Sequence, residues 1–195
     1  MATSYLIATK PGDDSLQTIR RIQALPINLS SKALFICANV AQQACFGAST
    51  IELNHCILNA WEAAIVRALW GSHHALRYRE LCVGALWGPL KVHPQWLSIL
   101  YAFRDLRRIF FKRPDLRLQL VNQLKKRIEG PSPLKTPGPT RTLLMHLLTC
   151  QWTKVPTTDS LQVAHEDLGT MDFFTTPTAQ LVRWLSYTTR QDIMD

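Results

Sequence analysis

Hydrophobic residues recur at intervals of three and four along most of the chain, which is the period of amphipathic α-helices. The clearest example runs from Pro114 to Gly130, with proline where a first helical turn accepts it and glycine where helices commonly end. Its apolar residues are spaced four apart: Leu116, Leu120, Leu124 and Ile128. The pattern predicts a helix that packs against the core through this stripe.

The preceding segment, Pro94 to Phe111, is predicted to be a second helix with two different faces. At about 100° per residue, its inner side carries Trp96, Ile99, Phe103, Leu106 and Phe110. Its outer side carries Arg104, Arg107 and Arg108 together with Leu97, Leu100, Tyr101 and Phe111. We expect the inner side to be buried and the outer side to face solvent.

Capping signals predict further helices in the first half of the chain. One is expected to begin near Asp14 and to end before Pro26, and the Ala-rich segment Ser30 to Phe46 is expected to form another. Because that segment is apolar on every side, we expect it to lie centrally. The capping box Ser49-x-x-Glu52 predicts a third helix, and a fourth is expected from about His74 to Trp87.

Residues 130–139 contain four prolines and two glycines, a composition that sustains neither a helix nor a central strand. We therefore predict a linker at this position. After the linker, Leu143 to Leu148 fits a short helix or a strand equally well. Short helices are expected over Asp159 to Leu168 and Pro177 to Tyr187.

These elements predict an all-α protein, a compact helical bundle with a small appended region. The helical core domain is expected to span residues 13–129, followed by the linker 130–139 and a smaller region 140–195. The final forty-one residues hold six acids and two bases, so the C-terminal helical region is acidic. It is a candidate to fold over basic parts of the chain or to hold back their partner.

The composition indicates a folded chain rather than a disordered one. The chain has 195 residues, of which 47% are apolar and 18% charged. No apolar run approaches the length of a membrane span, and the N-terminus lacks the pattern of a secretory signal. Five irregularly spaced cysteines favour neither a disulfide framework nor a zinc cage. We therefore expect an intracellular location, cytoplasm or nucleus, with peripheral membrane attachment left open.

The net positive charge is concentrated in one stretch. Residues 100–141 contain eleven Lys or Arg and three acids, so this stretch carries a formal charge equal to the +8 of the whole chain. A one-sided positive field attracts polyanions such as RNA, DNA or an anionic lipid surface. The candidate polyanion-binding residues are Arg104, Arg107, Arg108, Lys112, Arg113, Lys125 and Lys126.

Two aromatic residues accompany these bases, Tyr101 and Phe111. Guanidinium groups beside exposed rings suit phosphate contact with base stacking in single-stranded nucleic acid. They equally suit an anionic membrane, where arginine meets the head groups and a hydrophobic side chain enters the acyl boundary. The alternatives are a protein-contact face or the solvated surface of an ordinary basic domain.

No stretch of the sequence carries the signature of a known catalytic chemistry. His73 and His74 are adjacent and diverge by about 100° on a helix, which disfavours a shared metal ion. His165-Glu166-Asp167 lacks both the second histidine of a zincin and a glycine-rich elbow, and no dinucleotide or phosphate loop occurs. We expect a non-enzymatic protein without a metal site or cofactor, in which the tryptophans serve packing: Trp61, Trp70, Trp87 and Trp96.

The stretch from Cys37 to Phe111 resembles the middle of rhabdovirus matrix proteins. The resemblance rests on Cys37 and Cys45, Gly84-Ala-Leu-Trp-Gly88, Trp96 and Arg107-Arg108. Leu69-Trp70-Gly71-Ser72 is similar to the helical half of paramyxovirus C proteins. The chain departs from the matrix pattern because it has no Pro-Pro-x-Tyr motif and no Lys-rich N-terminal arm. The resemblance implies a non-enzymatic protein that binds ribonucleoprotein, membrane or host regulators.

The sequence thus predicts a virus-type accessory or matrix-like protein of the host-cell cytoplasm or nucleus. Its expected partner is RNA or an anionic lipid surface, bound through the basic helical face. The alternative is a host-interaction adaptor that suppresses a defence pathway through protein contacts. Oligomerisation is left open.

Overall fold

The computed structural model describes residues 9–50, 53, 55–71, 88–128, 138–156 and 160–194. Helices occupy most of these residues: α1 Thr9–Ala24, α2 Leu29–Phe35, a π-helical turn Ile36–Val40, α3 Ala41–Ala44, α4 His55–Trp70, α5 Pro89–Val92, α6 Pro94–Lys112, α7 Pro114–Ile128, α8 Pro139–Thr149 and α9 Thr178–Met194. The strands are β1 Thr153–Pro156, β2 Leu161–His165 and β3 Gly169–Asp172.

The described residues fall into two compact units. The first draws on the described residues within the ranges 1–46, 53–98 and 190–195, and the second on those within 47–52 and 99–189. The predicted helix over His74 to Trp87 lies outside the described residues, as do Glu52 of the capping box and residues 130–137 of the predicted linker. The predicted domain boundaries stay a prediction.

In the first unit, α1 packs against α4 and against the short elements α2 and α3. The core is formed by one stripe of each helix, including Ile19 on α1 and Trp61, Ile65 and Leu69 on α4, all at most 2% exposed. The Asn28 side chain begins α2 by accepting a hydrogen bond from the Ser31 amide at 2.7 Å.

The Ala-rich segment is expected to lie centrally because it is apolar on every side, and this expectation is wrong: one side is buried and the other exposed. It is divided into α2, the π-helical turn and α3, and its inward side consists of Ala33, Ile36, Val40, Ala41 and Ala44. A helix turns only part of its circumference to the core, so the other apolar side chains face outward. Leu34 is 64% exposed and Phe35 46% exposed, and Phe46 after the end of α3 is 88% exposed.

In the second unit, the core surrounds Phe103 of α6. Its ring lies 5.2 Å from the Phe173 ring, 5.6 Å from Trp152 and 6.0 Å from His146, measured between centroids.

The buried inner side predicted for α6 is confirmed, since Trp96, Ile99, Phe103, Leu106 and Phe110 are at most 7% exposed. The outer placement of Leu97 and Leu100 is wrong, because the first two turns of α6 are buried or half-buried at every described position up to Leu100.

The all-α prediction is wrong in the C-terminal region, although the described residues are mainly helical. The strands form an antiparallel sheet in the order β1-β2-β3. Where a helix is expected over Asp159 to Leu168, the described residues from Ser160 onward instead include β2 and a hairpin loop closed by the pairing of His165 with Gly169. Leu161, Val163 and His165 are buried and alternate with exposed or half-buried neighbours, which is strand periodicity. Gly169 has φ +80°, as the end of a short hairpin loop requires.

Two other C-terminal elements are settled by the structure. Leu143 to Leu148, which fitted a helix or a strand, lies within α8. The helix expected over Pro177 to Tyr187 is present as α9 and continues to Met194.

Candidate polyanion-binding surface

Three of the candidate bases lie along one exposed side of α6. Arg104, Arg108 and Lys112 are spaced four apart, so their side chains share a helix face. All three are exposed. We call these three residues the cationic face. Among the described residues, none of the three has an ion-pair partner in the acidic C-terminal region.

Two aromatic side chains stand beside the cationic face. The guanidinium carbon of Arg104 lies 5.9 Å from the centroid of the half-buried Tyr101 ring. Phe111 is 88% exposed. Because α6 ends at Lys112 and α7 begins at Pro114, Phe111, Lys112 and Arg113 form the junction between the two helices. An aromatic ring that is almost entirely exposed beside two cations is a feature that a folding core does not explain.

Two of the exposed bases have acidic neighbours. Arg113 forms a bidentate pair with Asp115, with Nε to Oδ1 at 3.0 Å and Nη2 to Oδ2 at 2.7 Å. This hydrogen bonding raises the pKa of Arg113 and lowers the pKa of Asp115. Arg108 lies 3.9 Å from Asp105, one turn away. Exposed pairs of this kind contribute little to stability, so a lipid or RNA phosphate can replace the carboxylate.

Arg107 points to a different environment from its neighbour Arg108. Its guanidinium donates hydrogen bonds to the backbone carbonyls of Phe174 and Thr176, the former at 3.4 Å. Burial lowers the pKa of Arg107, while the charge of Asp172 acts in the opposite direction. The side chain therefore holds the loop after β3 against α6, and we leave it out of the surface available to a polyanion.

Asp172 is the acid through which the C-terminal region engages the basic helices. It lies 4.0 Å from the Arg117 guanidinium, which also covers the Phe174 ring at 4.7 Å. Burial raises the pKa of Asp172, but hydrogen bonds from Thr175, Ser160 and Phe174 outweigh burial and lower it overall. Among the described residues, the C-terminal region contacts the basic helices at Arg117, through Asp172, and at Arg107, through the carbonyls of Phe174 and Thr176.

Lys125 and Lys126 lie in the last turn of α7, where the structure describes the backbone but not the side chains. It does not bring them together with the cationic face through any described contact.

Sequence reasoning missed two apolar side chains near the junction. Ile109 is 38% exposed and Leu118 is 49% exposed. Leu118 stands off the stripe formed by Leu116 and Leu120, so its position in the helix period was an available signal. The exposed surface around the junction is therefore both cationic and apolar.

The described residues contain no cluster of three or more His, Cys, Asp or Glu side chains suited to hold a metal ion. No helix in the described ranges has both the length and the apolar composition needed to cross a bilayer. No protein-family model matches the chain, and no curated protein or solved structure is significantly similar to it.

Proposed function

We propose that this protein is a non-enzymatic, matrix-like accessory protein of virus type that attaches to an anionic membrane surface through the cationic face and Phe111. The observation that carries the proposal is the 88% exposure of Phe111 at the junction, directly beside Lys112 and Arg113. Basic side chains attract anionic head groups, and an exposed ring enters the boundary between head groups and acyl chains.

The apolar neighbours favour a membrane over RNA. Single-stranded RNA is held by stacking its bases on aromatic rings and guanidinium planes. Ile109 and Leu118 are aliphatic and substantially exposed, and they have no stacking role. At a membrane interface the same side chains add buried apolar area.

The expected strength of attachment is modest. Each cation near an anionic leaflet contributes about 1 kcal/mol. Burial of one phenylalanine ring adds about 2 kcal/mol. With three cations, the sum is about 5 kcal/mol, close to the marginal, reversible binding of a single myristoyl chain. Stable attachment then needs a second contact, which an oligomer with several copies of the surface would supply.

Charge reversal tests this proposal. The triple variant Arg104→Glu, Arg108→Glu and Lys112→Glu should lose co-sedimentation with phosphatidylserine vesicles, because attraction becomes repulsion. A matched triple variant in the first unit, Arg20→Glu, Arg67→Glu and Lys91→Glu, changes the net charge equally at exposed positions and should retain it.

Two results would contradict the proposal. Equal vesicle binding by the two triple variants would show that net charge, not the cationic face, is responsible. Absent vesicle binding by the wild type, combined with salt-sensitive binding of single-stranded RNA that the first triple variant loses, would identify RNA as the polyanion.

A second function is favoured by a separate observation, the apolar exposure of Leu34, Phe35 and Phe46 in the first unit. These side chains suit an adaptor that captures a host protein and suppresses a defence pathway. Under this alternative, Leu34→Ser with Phe46→Ser should abolish suppression in a host-cell reporter assay. The triple variant of the cationic face should suppress as well as the wild type.

A further inference from the structure

A cleft of about 350 Å³ opens in the second unit where α8 leads into β1. Its lining consists of Leu144, Leu147, Leu148, Gln151, Trp152, Thr153 and Lys154. None of these residues belongs to the cationic face or to the junction. The cleft is therefore a separate feature of the molecule.

The local backbone explains why a cleft forms at this point. Gln151 has φ +57°, its amide donates to the Leu148 carbonyl at 2.9 Å, and the Trp152 amide donates to the Leu147 carbonyl at 2.8 Å. This is the hydrogen-bond pattern of a Schellman motif, with glutamine where glycine is usual. The chain reverses within two residues, so the leucines of the last turn of α8 and the start of β1 enclose one space.

The walls of the cleft are largely apolar. Leu144 and Leu147 are at most 2% exposed, whereas Leu148 is 63% exposed. An aliphatic side chain with that exposure, next to two buried leucines, offers apolar area that folding has left uncovered. The volume is at the low end of the range of about 300 to 1,000 Å³ that small-molecule sites occupy.

Among the described residues of the lining, the one charged group is the ammonium of Lys154, and no carboxylate accompanies it. Lys154 is half-buried, and burial lowers the pKa of its ammonium group. An anion entering the cleft would pair with this ammonium group and compensate its charge.

We propose that this cleft binds a free amphiphile with a short apolar chain and one anionic head group, of the fatty-acid class, with the chain among the leucines and the head group at Lys154. A water molecule takes about 30 Å³ in the liquid, and a methylene group is of similar size. The cleft therefore accommodates about ten such groups, the length of decanoate.

Isothermal titration with decanoate and with decanol, its uncharged analogue, tests the site on the full chain. The wild type should bind decanoate at least about tenfold more tightly than decanol, because the carboxylate pairs with Lys154. Lys154→Met keeps an unbranched apolar side chain and removes the charge, so it should bring the two affinities within about twofold of each other. The assay runs below the micelle concentration of decanoate.

Leu148→Asp should abolish decanoate binding, since it removes an apolar wall and adds a like charge. Leu34→Asp is the matched control, because Leu34 is 64% exposed and lies in the other unit. It should bind decanoate as the wild type does. Both positions are exposed, so both variants are expected to fold.

Three outcomes would overturn the site: no heat of binding with decanoate, equal affinities of the wild type for decanoate and decanol, or unchanged binding in Leu148→Asp. The triple variant of the cationic face should bind decanoate normally. Failure of decanoate binding therefore leaves the proposed membrane attachment intact, and failure of vesicle binding leaves the cleft intact. Loss of vesicle binding in Lys154→Met would instead assign the cleft to a membrane lipid.

Discussion

Arg107 and Arg108 are neighbours in the sequence with different roles. Both fall on the predicted outer side of α6, yet Arg107 is held by the carbonyls of Phe174 and Thr176 while the Arg108 side chain is 71% exposed. The separation along the chain is more than sixty residues, which no local pattern reveals. The sequence predicts which residues of α6 form its buried inner side. It does not predict which arginine is bound by the C-terminal loop.

Removal of Arg107 should therefore cost stability that removal of Arg108 does not. Arg107→Ala leaves two backbone carbonyls without a charged donor, and hydrogen bonds to charged groups contribute about 1.5 to 3 kcal/mol. We expect the free energy of unfolding in urea to fall by about 2 kcal/mol. Arg108→Ala should change it by less than about 0.5 kcal/mol. Equal effects of the two substitutions would contradict the assignment of Arg107 to the loop.

Two histidines, the buried His146 and the half-buried His93, predict a loss of stability in mild acid. Burial lowers the pKa of His93 and of His146 to about 4. The unfolded chain binds these protons near its ordinary pKa of about 6.5, so the stabilisation is complete above that pH. This stabilisation is lost progressively as the pH falls from about 6.5 towards the pKa of about 4 in the folded protein.

Between pH 7 and pH 5, each histidine should lower the free energy of unfolding by about 2 kcal/mol. His146→Leu keeps an apolar contact with Phe103, whose ring lies 6.0 Å from that of His146, and removes one titrating group. Urea unfolding at the two pH values should then show a smaller difference in this variant than in the wild type. An unchanged difference would mean that His146 is protonated in the folded protein.

The elements themselves were predictable to different degrees. The bounds of α6 and α7 followed from prolines at their first turns and from regular apolar spacing. The strand β2 lies where the sequence predicts a helix, because the alternation of Leu161, Val163 and His165 is too short to distinguish the two structures. Pairing with β1 and β3 decides between the two structures, and the partners of a strand cannot be identified from its own residues.

Two residues with positive φ should respond oppositely to substitution. A Cβ at Gly169 would meet open space, so Gly169→Ala tests backbone strain alone. We expect this substitution to lower the free energy of unfolding by about 1 kcal/mol. Gln151→Gly removes the strain of a left-handed glutamine after α8. We expect it to raise the free energy of unfolding by up to about 1 kcal/mol. Thermal unfolding measures both changes in stability. A change of the same sign in the two variants would contradict the conformations of these turns.

In the whole molecule, only some of the bases that the sequence concentrates in one stretch are exposed together on one surface. The sequence located the positive stretch between residues 100 and 141, and Arg104, Arg108 and Lys112 are indeed exposed together. Arg107 and Arg117 instead face the C-terminal region. Charge counting could not anticipate these two losses, because they depend on which acids and carbonyls folding brings nearby. The exposure of the aliphatic side chains of Ile109 and Leu118, in addition to Phe111, is the feature that favours a membrane surface over a general polyanion surface.

The most direct test of that interpretation replaces Phe111 by two different residues and measures affinity for phosphatidylserine vesicles at low salt. Phe111→Leu keeps a hydrophobic side chain that enters the membrane but removes the ring on which a base would stack. We expect it to bind vesicles within about twofold of the wild type. Phe111→Ser should bind about thirtyfold more weakly, because the apolar burial of about 2 kcal/mol is lost. Equal vesicle affinity of Phe111→Ser and the wild type would contradict the account.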